Sequence, residues 1–181
     1  RITRTEIINE MVKQSDMFNW FALYVKSRHE FVASSELKQK GIETFLPSVM
    51  KLNQWKDRKK LVEFPLFPGY LFVHVPPSPE EFLNVLKTKG AVTFVSLNPG
   101  TPTPVPDSDV NSLKLIIESG QEIDVYPNLK EGTIVRVKKG LLIGAEGILK
   151  KKENQHLFLV NIDILGRSVG VKVYASEIEA A

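Results

Sequence analysis

Phe64-Pro65-Leu66-Phe67-Pro68-Gly69-Tyr70-Leu71-Phe72-Val73 is the stretch on which the reading of this chain turns. Pro68-Gly69 divides it, because proline fixes its own φ and glycine enters positive φ freely. The spacing predicts strands over residues 61–67 and 70–75. In the second strand, alternation sends Tyr70 and Phe72 to one face and Leu71 and Val73 to the other. Residues 18–25 (FNWFALYV) read as another strand of the same character, contributing Trp20, Phe21 and Tyr24. Both faces of this sheet are apolar, and helices on one side cover only one of them. The surplus predicts an exposed apolar patch of the kind that marks a protein-binding site. Packing that covers both faces fits the composition equally well.

The neighbouring segments alternate in type. Residues 28–40 place Phe31, Val32, Ser35 and Leu37 at helical spacing, and Gly41 closes the helix. Residues 42–46 and 49–52 read as extended. A helix over residues 79–89 has Ser78 as N-cap, Pro79 in first position and Glu80 and Glu81 in its first turn. Residues 92–97 form a further strand, and the Pro-rich 98–106 (NPGTPTPVP) a loop. Asp107 or Ser108 then caps a helix running to Ser119. Mixed strands and helices make residues 18–119 an α+β domain. Residues 1–17 read as an N-terminal arm with no clear cap and 120–130 as a linker. In 131–181, Val- and Ile-rich runs at 133–137, 145–150, 157–162 and 169–173 are separated by glycines. They suggest a small five-stranded barrel, which hides its own edges.

The chain has 181 residues, 43% hydrophobic and 25% charged, with a net charge of +3, the balance of an ordinary globular protein. No cysteine is present, which excludes disulfide scaffolds, thiolate metal centres and cysteine nucleophiles. No apolar run reaches the roughly 18–20 residues of a membrane span, and the charged start does not read as a secretory signal. A cytoplasmic protein without membrane contact is expected. His29, His74 and His156 stand far apart and form no metal-ligand run, so neither metal nor cofactor is expected. Residues 140–147 (GLLIGAEG) lack the GK[ST] ending of a phosphate loop and lead into a strand, so turn glycines are the reading. A nuclease using Asp107, Asp109 and Asp163 is a distant rival, and no enzyme activity is expected. Gln54-Trp55-Lys56-Asp57-Arg58-Lys59-Lys60 forms a basic hairpin tip with one aromatic, fitting either a nucleic-acid contact or a solvated turn.

Several motifs resemble the NusG family of transcription elongation factors. They are Trp20-Phe21-Ala22-Leu23-Tyr24-Val25-Lys26, Leu66-Phe67-Pro68-Gly69-Tyr70-Leu71-Phe72-Val73, Gly90-Ala91-Val92-Thr93-Phe94-Val95, and Glu131-Gly132-Thr133-Ile134-Val135-Arg136-Val137 with Gly140, Gly147 and Leu165-Gly166-Arg167. Gly41-Ile42-Glu43-Thr44-Phe45-Leu46-Pro47 and the Trp55–Lys60 run look like the specialised paralogues of the RfaH and UpxY kind. The resemblance implies a ferredoxin-like NGN domain, an antiparallel sheet with helices, followed by an SH3-like KOW barrel at 131–181. It also implies docking on the clamp helices of the largest RNA polymerase subunit through Tyr24, Phe67, Tyr70, Phe72 and Leu97. Lys26, Arg28, His29, Thr88 and Lys89 match the region where specialised members touch the non-template DNA strand. The loop Ile164-Leu165-Gly166-Arg167-Ser168 matches the KOW partner loop, whose partner is a small-subunit ribosomal protein or Rho. Leu165 replaces an aromatic anchor, which counts against Rho. A monomer is expected, with the C-terminal module folded as strands rather than as a helical hairpin, since each glycine there weakens a helix by about 1 kcal/mol. A translation-associated KOW-type RNA-binding protein is the alternative.

Overall fold

The computed structural model describes residues 2–129, 131–152 and 155–181; Arg1 of the expected arm and Lys130 of the expected linker lie outside the described residues. The chain divides into two compact units, Arg1–Leu46 with Gly69–Pro104 and Pro47–Pro68 with Val105–Ala181.

The chain starts with helix α1 (Arg4–Asp16). Contrary to the uncapped reading, Thr3 and Glu6 form a capping box: the Thr3 N–H donates to Glu6 Oε2 at 2.7 Å and the Glu6 N–H to Thr3 Oγ1 at 3.2 Å. The Thr3 N–H first, and its hydroxyl second, hold the Glu6 carboxyl below its usual range. There follow β1 (Asn19–Val25), α2 (Glu30–Gln39), β2 (Glu43–Phe45), the hairpin β3 (Ser48–Trp55) and β4 (Arg58–Pro65), β5 (Tyr70–Val75), α3 (Pro79–Leu86) and β6 (Ala91–Phe94). In the first unit the strand order is β2-β5-β1-β6, antiparallel throughout. This is the βαββαβ arrangement of ferredoxin-like folds, with the hairpin inserted between its second and third strands.

Phe21, Leu23 and Val25 of β1 face a core completed by Leu71, Val73 and Val75, by Ala33 and Leu37 of α2 and by Val85 of α3. α2 begins at Glu30 because Arg28 takes φ +65°. Its inward stripe is Glu30, Ala33, Ser34 and Leu37, so Phe31 and Val32 point outward, contrary to the expected helical face. α3 ends at Leu86 rather than 89, with Lys87 as C-cap. At its start Ser78 Oγ accepts the Glu81 N–H at 3.3 Å, as its N-cap position requires.

The second unit contains the hairpin, helix α4 (Asp107–Glu118) and the strands β8 (Asp124–Pro127), β9 (Thr133–Val137), β10 (Glu146–Lys152), β11 (Gln155–Ile162), β12 (Arg167–Val173) and β13 (Ile178–Ala180). The two-residue β7 (Pro104–Val105) lies where the units meet in sequence. These six strands form an antiparallel sheet in the order β13-β9-β10-β11-β12-β8. Three expectations change here. First, residues 131–181 supply the five expected strands, β9 to β13, and β8 adds a sixth, but no pairing joins β13 to β8 among the described residues. Second, residues of the expected linker form β8, which pairs with β12 through Val125↔Val169 and Tyr126↔Ser168. Gly170 permits this, because a Cβ there would lie 2.9 Å from the Tyr126 ring. Third, α4 belongs to this unit: it packs on β10 and β11, and Ser112 Oγ accepts the Glu146 N–H at 3.0 Å. Residues expected to resist helix are strands; Gly140 and Gly144 take positive φ, but Gly147, expected as a turn glycine, lies within β10 against the Leu159 carbonyl.

Candidate functional site

The register of β1 against β5 builds an aromatic row on the sheet face opposite the helical core. Trp20 pairs with His74, Ala22 with Phe72 and Tyr24 with Tyr70. Trp20 and His74 stack at 4.7 Å, Tyr24 and Tyr70 meet at 5.4 Å, and Phe45 from β2 stacks on Phe72 at 6.1 Å. His74 Nδ1 lies 2.9 Å from Glu43 Oε2. Exposure is graded along the row: Trp20, Ala22 and Phe72 are buried, Tyr70 is half-buried and Tyr24 is 40% exposed. Beyond β6, the Val95 N–H donates to the Ala22 carbonyl at 2.9 Å, and Leu97 is 73% exposed.

An open patch made of all five expected aromatic and apolar residues is thus not present. Phe67 and Phe72 are buried; Tyr24, Tyr70 and Leu97 supply the accessible part.

The Pro68-Gly69 turn is held against this edge. The Val25 N–H donates to the Gly69 carbonyl at 2.8 Å, and the Gly69 N–H donates to Glu30 Oε1 at 3.0 Å. Gly69 takes φ +90°, and a Cβ there would stand 3.2 Å from the Tyr24 ring. Glu30, buried in the first turn of α2, was missed in the sequence, where it reads as an ordinary first-turn acid.

The expected nucleic-acid residues come together only in part. The Lys26 N–H donates to the Gly90 carbonyl at 2.8 Å, bringing residues 26–29 beside 88–90. Gly90 is required there, since a Cβ would stand 2.7 Å from His29 Cβ. Lys26, Arg28 and Lys89 are exposed, and His29 is half-buried with Nδ1 2.9 Å from the Ser27 carbonyl. Thr88 is a correction. It is buried, and its Oγ1 accepts from Lys40 Nζ at 3.0 Å, so it holds the end of α3 rather than facing a ligand. A shallow groove beside Lys89 is lined by Phe31, Val32, Ser35 and Gln39 on the outward side of α2.

In the second unit, Asp163–Leu165 forms a single 3-10 turn closed by Gly166 at φ +62°. Ile164 and Leu165 are half-buried and Arg167 is exposed, its Nη1 donating to the Leu165 and Gly166 carbonyls at 3.3 Å each. Ser168 is buried and donates to Asn161 Oδ1 at 2.6 Å, so it serves the fold. Leu141 and Ile143, which sequence reading passed over as part of a turn, are exposed at 67% and 59%. Asp163 Oδ1 accepts from Asn128 Nδ2 at 3.0 Å. Burial first, and the Asp163 charge second, push the Asp109 carboxyl up to about 6. Among the described residues no group of three or more His, Asp or Glu is placed to hold a metal ion. No helix among them is long and apolar enough to cross a membrane.

Residues 18–114, more than half of the chain, match the family model described as "Transcription termination factor nusG". A Streptococcus pyogenes protein named "Transcription termination/antitermination protein NusG" is 29% identical over 157 residues, covering 78% of this chain and 84% of its own. A Chlamydia trachomatis protein of the same name is 26% identical over 166 residues, covering 86% and 90%. A solved structure titled "Domain interaction in Thermotoga maritima NusG" aligns with a TM-score of 0.49 at 23% identity, over 91% of this chain and 98% of that one.

Proposed function

The chain belongs to the NusG family of transcription termination and antitermination factors, and from that premise we propose how it works. It binds RNA polymerase at the clamp helices of the largest subunit, through the open end of the aromatic row. Tyr24, Tyr70 and Leu97 make the contact, while Phe72 lies buried on the same sheet face. By binding the closed clamp more tightly than the swivelled one, it shifts the polymerase between processive and paused states without doing chemistry. Lys26, Arg28, His29 and Lys89 lie along the non-template strand, and Thr88 fixes their turn. Residues 131–181 act as a KOW module whose Ile164–Arg167 loop recruits a second partner, a small-subunit ribosomal protein in preference to Rho. The chain is a cytoplasmic monomer and, as its basic hairpin suggests, a specialised paralogue of the RfaH and UpxY kind.

The observation that carries this reading is the pairing of Tyr24 with Tyr70 at the exposed end of a row in which Trp20, Ala22 and Phe72 are buried. Binding of the full chain to an isolated clamp-helix fragment tests it. Tyr24→Ala is expected to weaken the complex at least tenfold, an aromatic anchor at such a site contributing about 2 kcal/mol. Lys26→Ala with Lys89→Ala leaves that complex intact and lowers affinity only for a polymerase complex with its non-template strand exposed. Unchanged affinity of a folded Tyr24→Ala protein for the fragment would remove the docking assignment.

A further inference from the structure

We infer that the β3–β4 hairpin is a separate binding element for single-stranded RNA, using the face that carries Trp55. The register defines two unlike faces. Trp55 pairs with Arg58, Asn53 with Lys60 and Lys51 with Val62, so these six side chains share one face. Gln54 with Lys59, Leu52 with Leu61 and Met50 with Glu63 share the other. The first face has three cations and no acid beside an indole that is 57% exposed. The second has one cation offset by Glu63, among the exposed Met50, Leu52 and Leu61.

Charge alone would give a solvated turn; an exposed indole within a one-sided cationic row suits a polyanion with unpaired bases. Base stacking on an aromatic ring is tolerant of sequence, and cations along the strand follow the phosphates. Alternate residues of a strand repeat every ~6.8 Å, so Lys51, Asn53 and Trp55 offer successive contacts along an extended chain. A duplex hides the base faces that Trp55 would need. The choice of RNA rests on the proposed role in elongation: the non-template strand is already met by Lys26, Arg28, His29 and Lys89, and the single strand that a transcribing polymerase releases is the transcript. None of Lys26, Arg28, His29 or Lys89 belongs to this hairpin, so the two nucleic-acid contacts are separable.

The chain has two tryptophans, and Trp20 is 3% exposed, so quenching by an added polymer reports on Trp55. The experiment titrates the full chain with a short mixed-sequence RNA, with single-stranded DNA of the same sequence and with the RNA duplex. Saturable quenching by the single-stranded RNA is expected, with weaker binding of DNA and of duplex. Trp55→Ala, followed by anisotropy of labelled RNA, is expected to lower affinity at least fivefold. Lys60→Gln should flatten the dependence of log affinity on log salt by about 0.7, whereas Lys59→Gln on the opposite face should leave it unchanged. Absence of saturable binding, equal effects of Lys59→Gln and Lys60→Gln, or tighter binding of duplex or DNA would overturn the inference. Polymerase binding measured on the same proteins separates the two readings. A chain that binds RNA but not polymerase refutes the elongation role and leaves the hairpin site standing. A chain that binds polymerase but not RNA refutes the hairpin site alone.

Discussion

Glu30 occupies the first turn of α2, where unpaired N–H groups and the helix dipole favour a carboxylate. Its side chain nevertheless turns inward and accepts the Gly69 N–H from across the sheet. Removing it leaves that buried donor without a partner, which typically costs 1–3 kcal/mol. Glu30→Ala is therefore expected to lower unfolding free energy by about 2 kcal/mol in a denaturant titration. A variant as stable as the parent would show that Gly69 is held by other means. Tyr24 and Phe72 illustrate what single residues disclose. Alternation placed Tyr70 and Phe72 on one face correctly, because the period of a strand is local. Which of them stays accessible was not local, since it depends on packing from other elements: Phe72 meets Phe45 of β2 and is buried, whereas Tyr70 lies beside the exposed Tyr24. Thr88 failed for the same reason: its hydroxyl is held by Lys40, 48 residues away.

At the scale of elements, the helices were legible where caps spoke and misread where faces mattered. Ser78-Pro79 marked the start of α3 because an N-cap acts within one turn. The equivalent signal at Thr3 and Glu6 was present and overlooked. The inward stripe of α2 could not be told from Phe31 and Val32 by apolarity, since Glu30 and Ser34 are among its buried members. α4 carries a test of its own packing. The folded chain binds a proton at Asp109 more tightly than the unfolded chain, its carboxyl being raised from 3.8 to about 6 by burial and then by Asp163. This contribution favours folding most below pH 4 and is lost as pH rises towards 6. Asp109→Asn is expected to add about 1 kcal/mol of stability at pH 7, allowing for the partial exposure of the site. It should also flatten the stability profile between pH 4 and 6 in thermal melts. An unchanged profile would mean that Asp109 is solvated as an ordinary first-turn acid.

At the scale of the whole molecule, protection from exchange should follow burial on both faces of a strand. Residues 157–160 of β11 and 20–23 of β1 are buried without a break, whereas the hairpin is open to solvent on both sides near its tip. Amide hydrogen exchange of the full chain is expected to be slowest at those two strands and fastest, among paired strand residues, at 53–60. Fast exchange in β11 would contradict its place at the centre of the second sheet. The sequence by itself determined the order of strands and helices over residues 18–119, the Pro68-Gly69 break, the strand character of the runs within 133–173 and the family. These rest on short-range periodicity, backbone sterics and motifs read in order along one chain. Tertiary structure alone decided that residues of the expected linker pair as β8, that α4 packs on the second sheet, and that the aromatic row is open at Tyr24 and closed at Phe72. Each of those outcomes depends on a partner distant in sequence: Gly170 leaving space for Tyr126, β10 and β11 receiving α4, and Phe45 meeting Phe72. Local propensity carries no information about what an element will meet, and burial is set by that meeting.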